Sequence, residues 1–255
     1  MPTYLKAKSP EDGWIRVVRK IMDTGMVRVD ERGSETKWLD NVMIHITDPY
    51  SERVSKKYPF SEGVLKEKYA TQLLNPDRLD FDYTYGERLN WWGDEINQID
   101  YIIAKLKESP NSRRAVATTW DPRKDTIVDE VPCLNHFVFM VREGLLDLSV
   151  MVRSNDMYGA WPANVYALGE LLTYVCEKTS MKQGSLTTLS VNAHIYKNDW
   201  TKGLAMLVKG DDAALKQLAR RDQTGATDAT AQVKLAEDWY DYAPVSYTHL
   251  TLPTN

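Results

Sequence analysis

Apolar positions in the first part of the chain recur with helical spacing. In "PEDGWIRVVRKIMDTG" Trp14, Val17, Val18, Ile21 and Met22 fall on one stripe of a helix that Gly25 would end. "SETKWLDNVMIHITDP" reads as a strand closed by Pro49. "SEGVLKEKYATQLLNP" predicts a second helix stopped before Pro76. "EINQIDYIIAKLKESPNS" predicts a third, with Ile96, Ile99, Ile102, Ile103 and Leu106 on one side. "RRAVATTWDP" is a short strand, and "CLNHFVFMV", "REG" and "LLDLSVMVRS" make a strand, a turn and a strand. "PANVYALGELLTYVCEKTSMKQG" predicts a long apolar helix ending near Gly184, "SLTTLSVNAHIY" another strand and "DDAALKQLARR" another helix. Helices and strands alternate without a strict βαβ rhythm, and a hairpin sits in the middle. That pattern predicts an α/β (α+β) fold, a mixed sheet backed by helices, and argues against a doubly wound parallel sheet.

Composition narrows the class. The 255 residues are 43% hydrophobic, enough for a substantial core. With 27% charged residues, a net charge of −4 and no basic run, the chain lacks the electrostatic footprint of a nucleic-acid-binding protein. Its apolar runs fall short of the roughly 18 residues that span a bilayer, and no secretory leader opens it. Two cysteines, Cys133 and Cys176, do not make a disulfide framework. These features predict a soluble, cytoplasmic protein. There is no Gly-rich phosphate loop, no repeat and no paired Cys/His spacing, so no metal is expected. "VSYTHLTLPTN" continues no periodicity. Residues 1–245 are read as one domain, and 246–255 as a non-native or disordered tail.

The two cysteines sit in different settings. Cys176, inside an apolar helix, reads as a small buried hydrophobe. Cys133 invites the same reading, but it follows Pro132 at the mouth of a strand. A hairpin brings Arg153 toward it, and a guanidinium there lowers a thiol's pKa. Arg113, Arg114, Arg153 and Arg32 carry the forked donors that match phosphate; surface arginines are also commonly just solvated. Asp156 and Asn164 stand at strand–helix junctions, where capping is the plain alternative. His194 reads equally as a strand histidine bonded to a neighbour.

Taken together, the ordered set "SRR…W", "PC", "RSND" with Asn164 eight residues after its aspartate, and "HIY" resembles the thymidylate synthase superfamily. The resemblance is closest to the compact archaeal and phage branch and runs from about Trp14 to about Tyr196. It implies a largely antiparallel twisted sheet whose open face forms a homodimer interface. It also implies a cysteine that adds to C6 of a pyrimidine nucleotide, so that C5 takes a one-carbon unit from 5,10-methylenetetrahydrofolate. Cys133 matches that nucleophile, and Arg153 and Ser154 match phosphate ligands. Arg113 and Arg114 match the pair that reaches the partner's phosphate, and Arg32 a mobile-loop phosphate arginine. Asn164 matches the base reader; an amide suits uracil, where cytosine-specific relatives carry aspartate. His194 and Tyr196 match the pair on the sugar 3′-hydroxyl, and Asp156 the folate-contacting aspartate. Tyr85 matches the active-site tyrosine, and Glu67 the glutamate that organises water and proton transfer.

Departures from the family pattern are equally specific. Leu134 follows the nucleophile where histidine is usual, and Val152 replaces a glutamine. Ala160 stands where glycine is usual, putting Trp161 and Ala163 in the expected pocket wall. No tryptophan lies between Leu74 and Tyr85, where longer synthases have two. One of those is thought to shield the reactive methylene from water; Trp91 or Trp92 is the candidate substitute. The resemblance therefore implies a thymidylate synthase acting on dUMP. The alternative is a hydroxymethylase of dUMP, dCMP or CMP, and the minor one a non-catalytic nucleotide-binding homologue.

Overall fold

The first helical stripe folds as its spacing requires. In the computed structural model, which describes residues 2–78, 81–93 and 95–200, it forms α1 (Pro10–Thr24). Ser9 caps α1 by accepting from the Asp12 amide, and Pro10 opens the first turn. Trp14, Val17, Val18 and Ile21 are fully buried; each such side chain contributes roughly 1.5–3 kcal/mol.

The strands are β1 (Thr3–Ala7), β2 (Met26–Val29), β3 (Glu35–Ile46), β4 (Val116–Thr118), β5 (Leu134–Arg142), β6 (Leu145–Asp156) and β7 (Lys182–Tyr196). They form one mixed sheet in the order β1-β3-β7-β6-β5-β4, with β2 also on β3. The β1–β3 and β6–β7 pairings are parallel and the others antiparallel. The predicted mixed, largely antiparallel sheet is therefore present. One face is covered by α1 and by α6 (Trp161–Thr179), whose Val165, Leu168, Leu171, Leu172 and Val175 pack above Leu148, Val150 and Leu186. The other face carries half-exposed apolar side chains, among them Met43, Met151 and Val191.

Several boundaries differ from the sequence reading. The second predicted helix stops early: α2 spans only Glu62–Tyr69, and residues 70–74 turn instead of continuing to Pro76. The long helix ends at Ser180, not near Gly184. Ser180 adopts φ 58, and its N–H reaches back to Cys176 O and Glu177 O. Gly184 already lies in β7. The third predicted helix is α4 (Gln98–Glu108), and Ile96 lies before it, half-exposed. Strands β1 and β2 and the short helices α3 (Tyr85–Asn90) and α5 (Pro122–Asp125) were not legible. "DDAALKQLARR" and the tail 246–255 lie outside the described residues. Among the described residues no helix is long and apolar enough to cross a membrane.

Candidate functional site

Cys133 stands immediately before β5, at an irregularity in the β5–β6 ladder between Leu134 and His136. Bulges of this kind re-aim side chains at sheet ends. Its backbone is tied down on several sides. The Cys133 carbonyl accepts from the Arg153 amide at 2.9 Å. The Cys133 and Leu134 amides donate to Tyr85 Oη at 3.3 and 3.4 Å. Asn135 Nδ2 donates to Pro132 O at 3.0 Å. Tyr85 in turn is placed by α3, which Thr84 caps by accepting from the Glu87 amide. The next residue, Gly86, admits no side chain: a Cβ there would lie 1.9 Å from Asn75 O. The sulfur is thus presented by a rigid strand end, and it lines a cavity of about 640 Å³.

Two opposing effects act on the thiol. Burial pushes the Cys133 thiol above its ordinary value, and this is the larger effect. The Arg153 guanidinium works against it, Glu130 adds to it, and Arg32 opposes it. Arg153 thus acts on the thiol in the direction the sequence implied, but burial outweighs it. The net direction is upward, with burial the largest cause.

Arg153 reaches forward along the chain entering β5. Its Nε donates to Pro132 O at 2.9 Å and its Nη2 to Val131 O at 3.0 Å. Ser154 and Asp156, further along β6, also line the cavity. Asp156 Oδ1 accepts from the amides of Tyr158 and Gly159, both at 3.0 Å, shaping the turn into α6. Gly159 allows this, since a Cβ there would sit 2.5 Å from Asp156 Oδ2. The turn is braced by Tyr58, whose hydroxyl donates to Gly159 O at 2.6 Å. It leads directly to Asn164, in the first turn of α6 and half-buried at the cavity wall.

The third wall comes from β7. The parallel β6–β7 register sets Asp156 opposite His194 and Ser154 opposite Asn192. His194 Nδ1 lies 2.8 Å from Asn192 Oδ1, a hydrogen bond that orients the imidazole. The His194 and Tyr196 rings meet edge-on at 5.0 Å. Burial, together with Asp156 and Asp30, pushes the Tyr196 hydroxyl up to about 12. Tyr196 thus stays protonated, a donor throughout the neutral range.

The fold therefore brings Cys133, Arg153, Ser154, Asp156, Asn164, His194, Tyr196, Tyr85 and Arg32 to one cavity. Other predicted residues stand elsewhere. Glu67 is exposed on α2 and does not line the cavity; Tyr69 and Gln72, from the turn that replaces the rest of that helix, do. Trp91 is half-exposed at the end of α3, away from the cavity. Trp161 is buried in the core with Nε1 donating to Thr188 Oγ1 at 3.1 Å, so no cosubstrate ring can stack on it. Arg113 and Arg114 are exposed just before β4 and do not line their own chain's cavity. Sequence reasoning missed Trp38, Arg28, Asn192, Tyr83 and Gln72 as cavity residues. Asn192 and Tyr83 were findable, each two positions before a predicted site residue. Trp38 was not: it arrives through the β3–β7 register opposite His194.

Comparison with known proteins agrees with this geometry. The thymidylate synthase family model matches residues 31–244. A protein of Methanosarcina barkeri named "Putative thymidylate synthase" is 44% identical over 207 residues, covering 81% of this chain and 94% of its own. Its counterpart in Methanosarcina mazei is also 44% identical, with the same coverage. The one in Methanocaldococcus jannaschii is 38% identical over 200 residues, covering 75% of this chain and 90% of its own.

Proposed function

The chain belongs to the thymidylate synthase family of folate-dependent one-carbon transferases, and from that premise we propose that it converts dUMP to dTMP through a covalent bond from Cys133. One observation carries the reading. A cysteine, an Arg–Ser pair, an asparagine and a His–Tyr pair, spread over 64 positions of sequence from 133 to 196, line a single cavity.

Each side chain then has a chemical task. C5 of a uracil ring is a poor nucleophile, and addition of the Cys133 sulfur to C6 converts it into an enolate-like carbon. Asn164 donates to the ring oxygen on which that charge develops and accepts from N3–H, a pattern uracil satisfies and cytosine does not. Arg153 and Ser154 bind the phosphate, with Arg32 at the cavity mouth. His194 and Tyr196 hold the sugar hydroxyl. Asp156 faces the cosubstrate, and methylenetetrahydrofolate supplies the carbon that C5 accepts. Loss of the C5 proton expels tetrahydrofolate and leaves an exocyclic methylene on C5. Hydride from that tetrahydrofolate reduces it to methyl as the S–C6 bond breaks, giving dTMP, dihydrofolate and free enzyme. Because burial raises the Cys133 thiol above its ordinary value, a base takes its proton as the nucleotide binds.

A second copy of the chain completes the proposal. Arg113 and Arg114 do not line their own cavity, and the open sheet face carries Met43, Met151 and Val191 at about two-fifths exposure. A symmetric dimer through that face would cover the apolar row and present the arginine pair to the partner's phosphate site.

One observation favours a second reading at the last step. No tryptophan from the 75–84 stretch reaches the cavity, and Trp91 is outside it. Water captured by the exocyclic methylene on C5 would give a hydroxymethyl nucleotide instead of a methyl one. Mass spectrometry after incubation with dUMP and methylenetetrahydrofolate separates the two. Synthase activity predicts a methyl product with an equal amount of dihydrofolate; a hydroxymethyl product without dihydrofolate would establish the second reading.

A further inference from the structure

The segment that leads into Cys133 is gripped by two arginines from different parts of the fold. Arg153 donates to the carbonyls of Pro132 and Val131. Arg32, in the loop between β2 and β3, donates from Nη2 to Asp129 O at 3.2 Å and places Nη1 2.9 Å from Glu130 Oε1. The loop is shaped to present Arg32: Asp30 Oδ1 accepts from the Arg32 and Ser34 amides at 2.9 and 2.7 Å. Arg32, Asp129, Val131, Cys133 and Arg153 all line the cavity.

Glu130 is unlike the other groups here. It offers a guanidinium the same pair of anionic oxygens that a phosphate offers. Its pairing with Arg32 bridges two loops nearly a hundred positions apart. Yet the side chains are 35% and 44% exposed, so water reaches the pair and it can exchange partners cheaply. A buried pair would be a strut; this one can be displaced by a better anion.

We infer that Glu130 is a positioning residue, an internal stand-in for the nucleotide's phosphate. It holds Arg32, and with it the β2–β3 loop, against the cavity mouth. The arriving phosphate takes Arg32 over from it. The inference rests on reading the cavity as a nucleotide site. It has a defined consequence: Glu130 weakens the binding of phosphate-bearing ligands and leaves uncharged ones alone.

Calorimetric titration of the full chain with inorganic phosphate, dUMP and deoxyuridine tests this, using wild type, Glu130→Gln, Arg32→Ala and the double variant. Glu130→Gln should tighten phosphate and dUMP by about two- to five-fold, the range of an exposed ion pair, with deoxyuridine unchanged. In the Arg32→Ala background the same substitution should do nothing. Unchanged or weaker phosphate binding in Glu130→Gln overturns the inference. So does equal tightening with and without Arg32, which would make Glu130 only a nearby charge. Failure of dUMP to bind the wild type would instead remove the nucleotide reading, while the phosphate titrations still report on Glu130. Glu130→Asp should keep wild-type affinities, which separates lost pairing from misfolding.

Discussion

Cys133 and Cys176 are the same side chain in two kinds of surroundings. Burial pushes both thiols up, Cys176 to about 11 with Glu177 adding to the effect. The sulfur of Cys176 is packed within the hydrophobic core, one of the residues of α6 facing the sheet. Cys133 differs in three respects: it opens onto a cavity, two arginines act on it, and its backbone is pinned by Tyr85 and Arg153. Desolvation by itself makes a cysteine inert. What distinguishes a reactive one is access together with cations that can stabilise the thiolate once a substrate displaces water.

Four experiments sharpen or break this contrast. The largest effect belongs to Cys133→Ala, which should lower turnover by roughly 10⁴-fold or more, the scale of a lost covalent nucleophile, while Cys176→Ala leaves steady-state kinetics unchanged. Equal losses in the two variants would erase the distinction. Next, Arg153→Ala should lower kcat/KM by roughly 10²-fold through lost charged hydrogen bonds. Arg153→Lys should recover little of this, because an ammonium cannot hold both carbonyl and phosphate oxygens in a fork.

The third experiment is a pH series of iodoacetamide alkylation read cysteine by cysteine by mass spectrometry. Both pKa values are raised, so the thiolate fraction is small at neutral pH and grows as pH rises past the ordinary thiol value. Cys133 should label slowly at pH 7 and accelerate above pH ~9, with Cys176 protected until the fold opens. Fast labelling of Cys133 at pH 7 would mean that its arginines outweigh burial. The smallest effect is on stability: Cys176→Ala should cost about 1 kcal/mol, a fall in Tm of ~2–4 °C for a chain of this size, and Cys133→Ala less.

The same contrast shows what a linear reading can reach. The Cys133–Arg153 pairing was legible because both lie in one hairpin, where turn length fixes register. Asp156 and Asn164 were legible because a strand runs straight into a helix. Glu67 is on α2 as expected but on its exposed side, whereas the chain turns after Tyr69 and carries Tyr69 and Gln72 to the cavity. Trp161 follows the expected motif yet faces inward, where Thr188 of β7 accepts its N–H. Trp38 and Arg28 were invisible because they come from β3 and β2, whose pairing no short stretch of sequence encodes. Their stacking, with the guanidinium 4.5 Å above the indole, is a product of that register.

Covalent trapping with 5-fluoro-dUMP and methylenetetrahydrofolate, followed by peptide mapping, tests the nucleophile most directly. A fluorine at C5 cannot leave as a proton does, so the sulfur–carbon bond should persist. A chain that works through Cys133 gives a single adduct on the peptide containing that residue and none in Cys133→Ala. An adduct on Cys176, or one that survives Cys133→Ala, would contradict it.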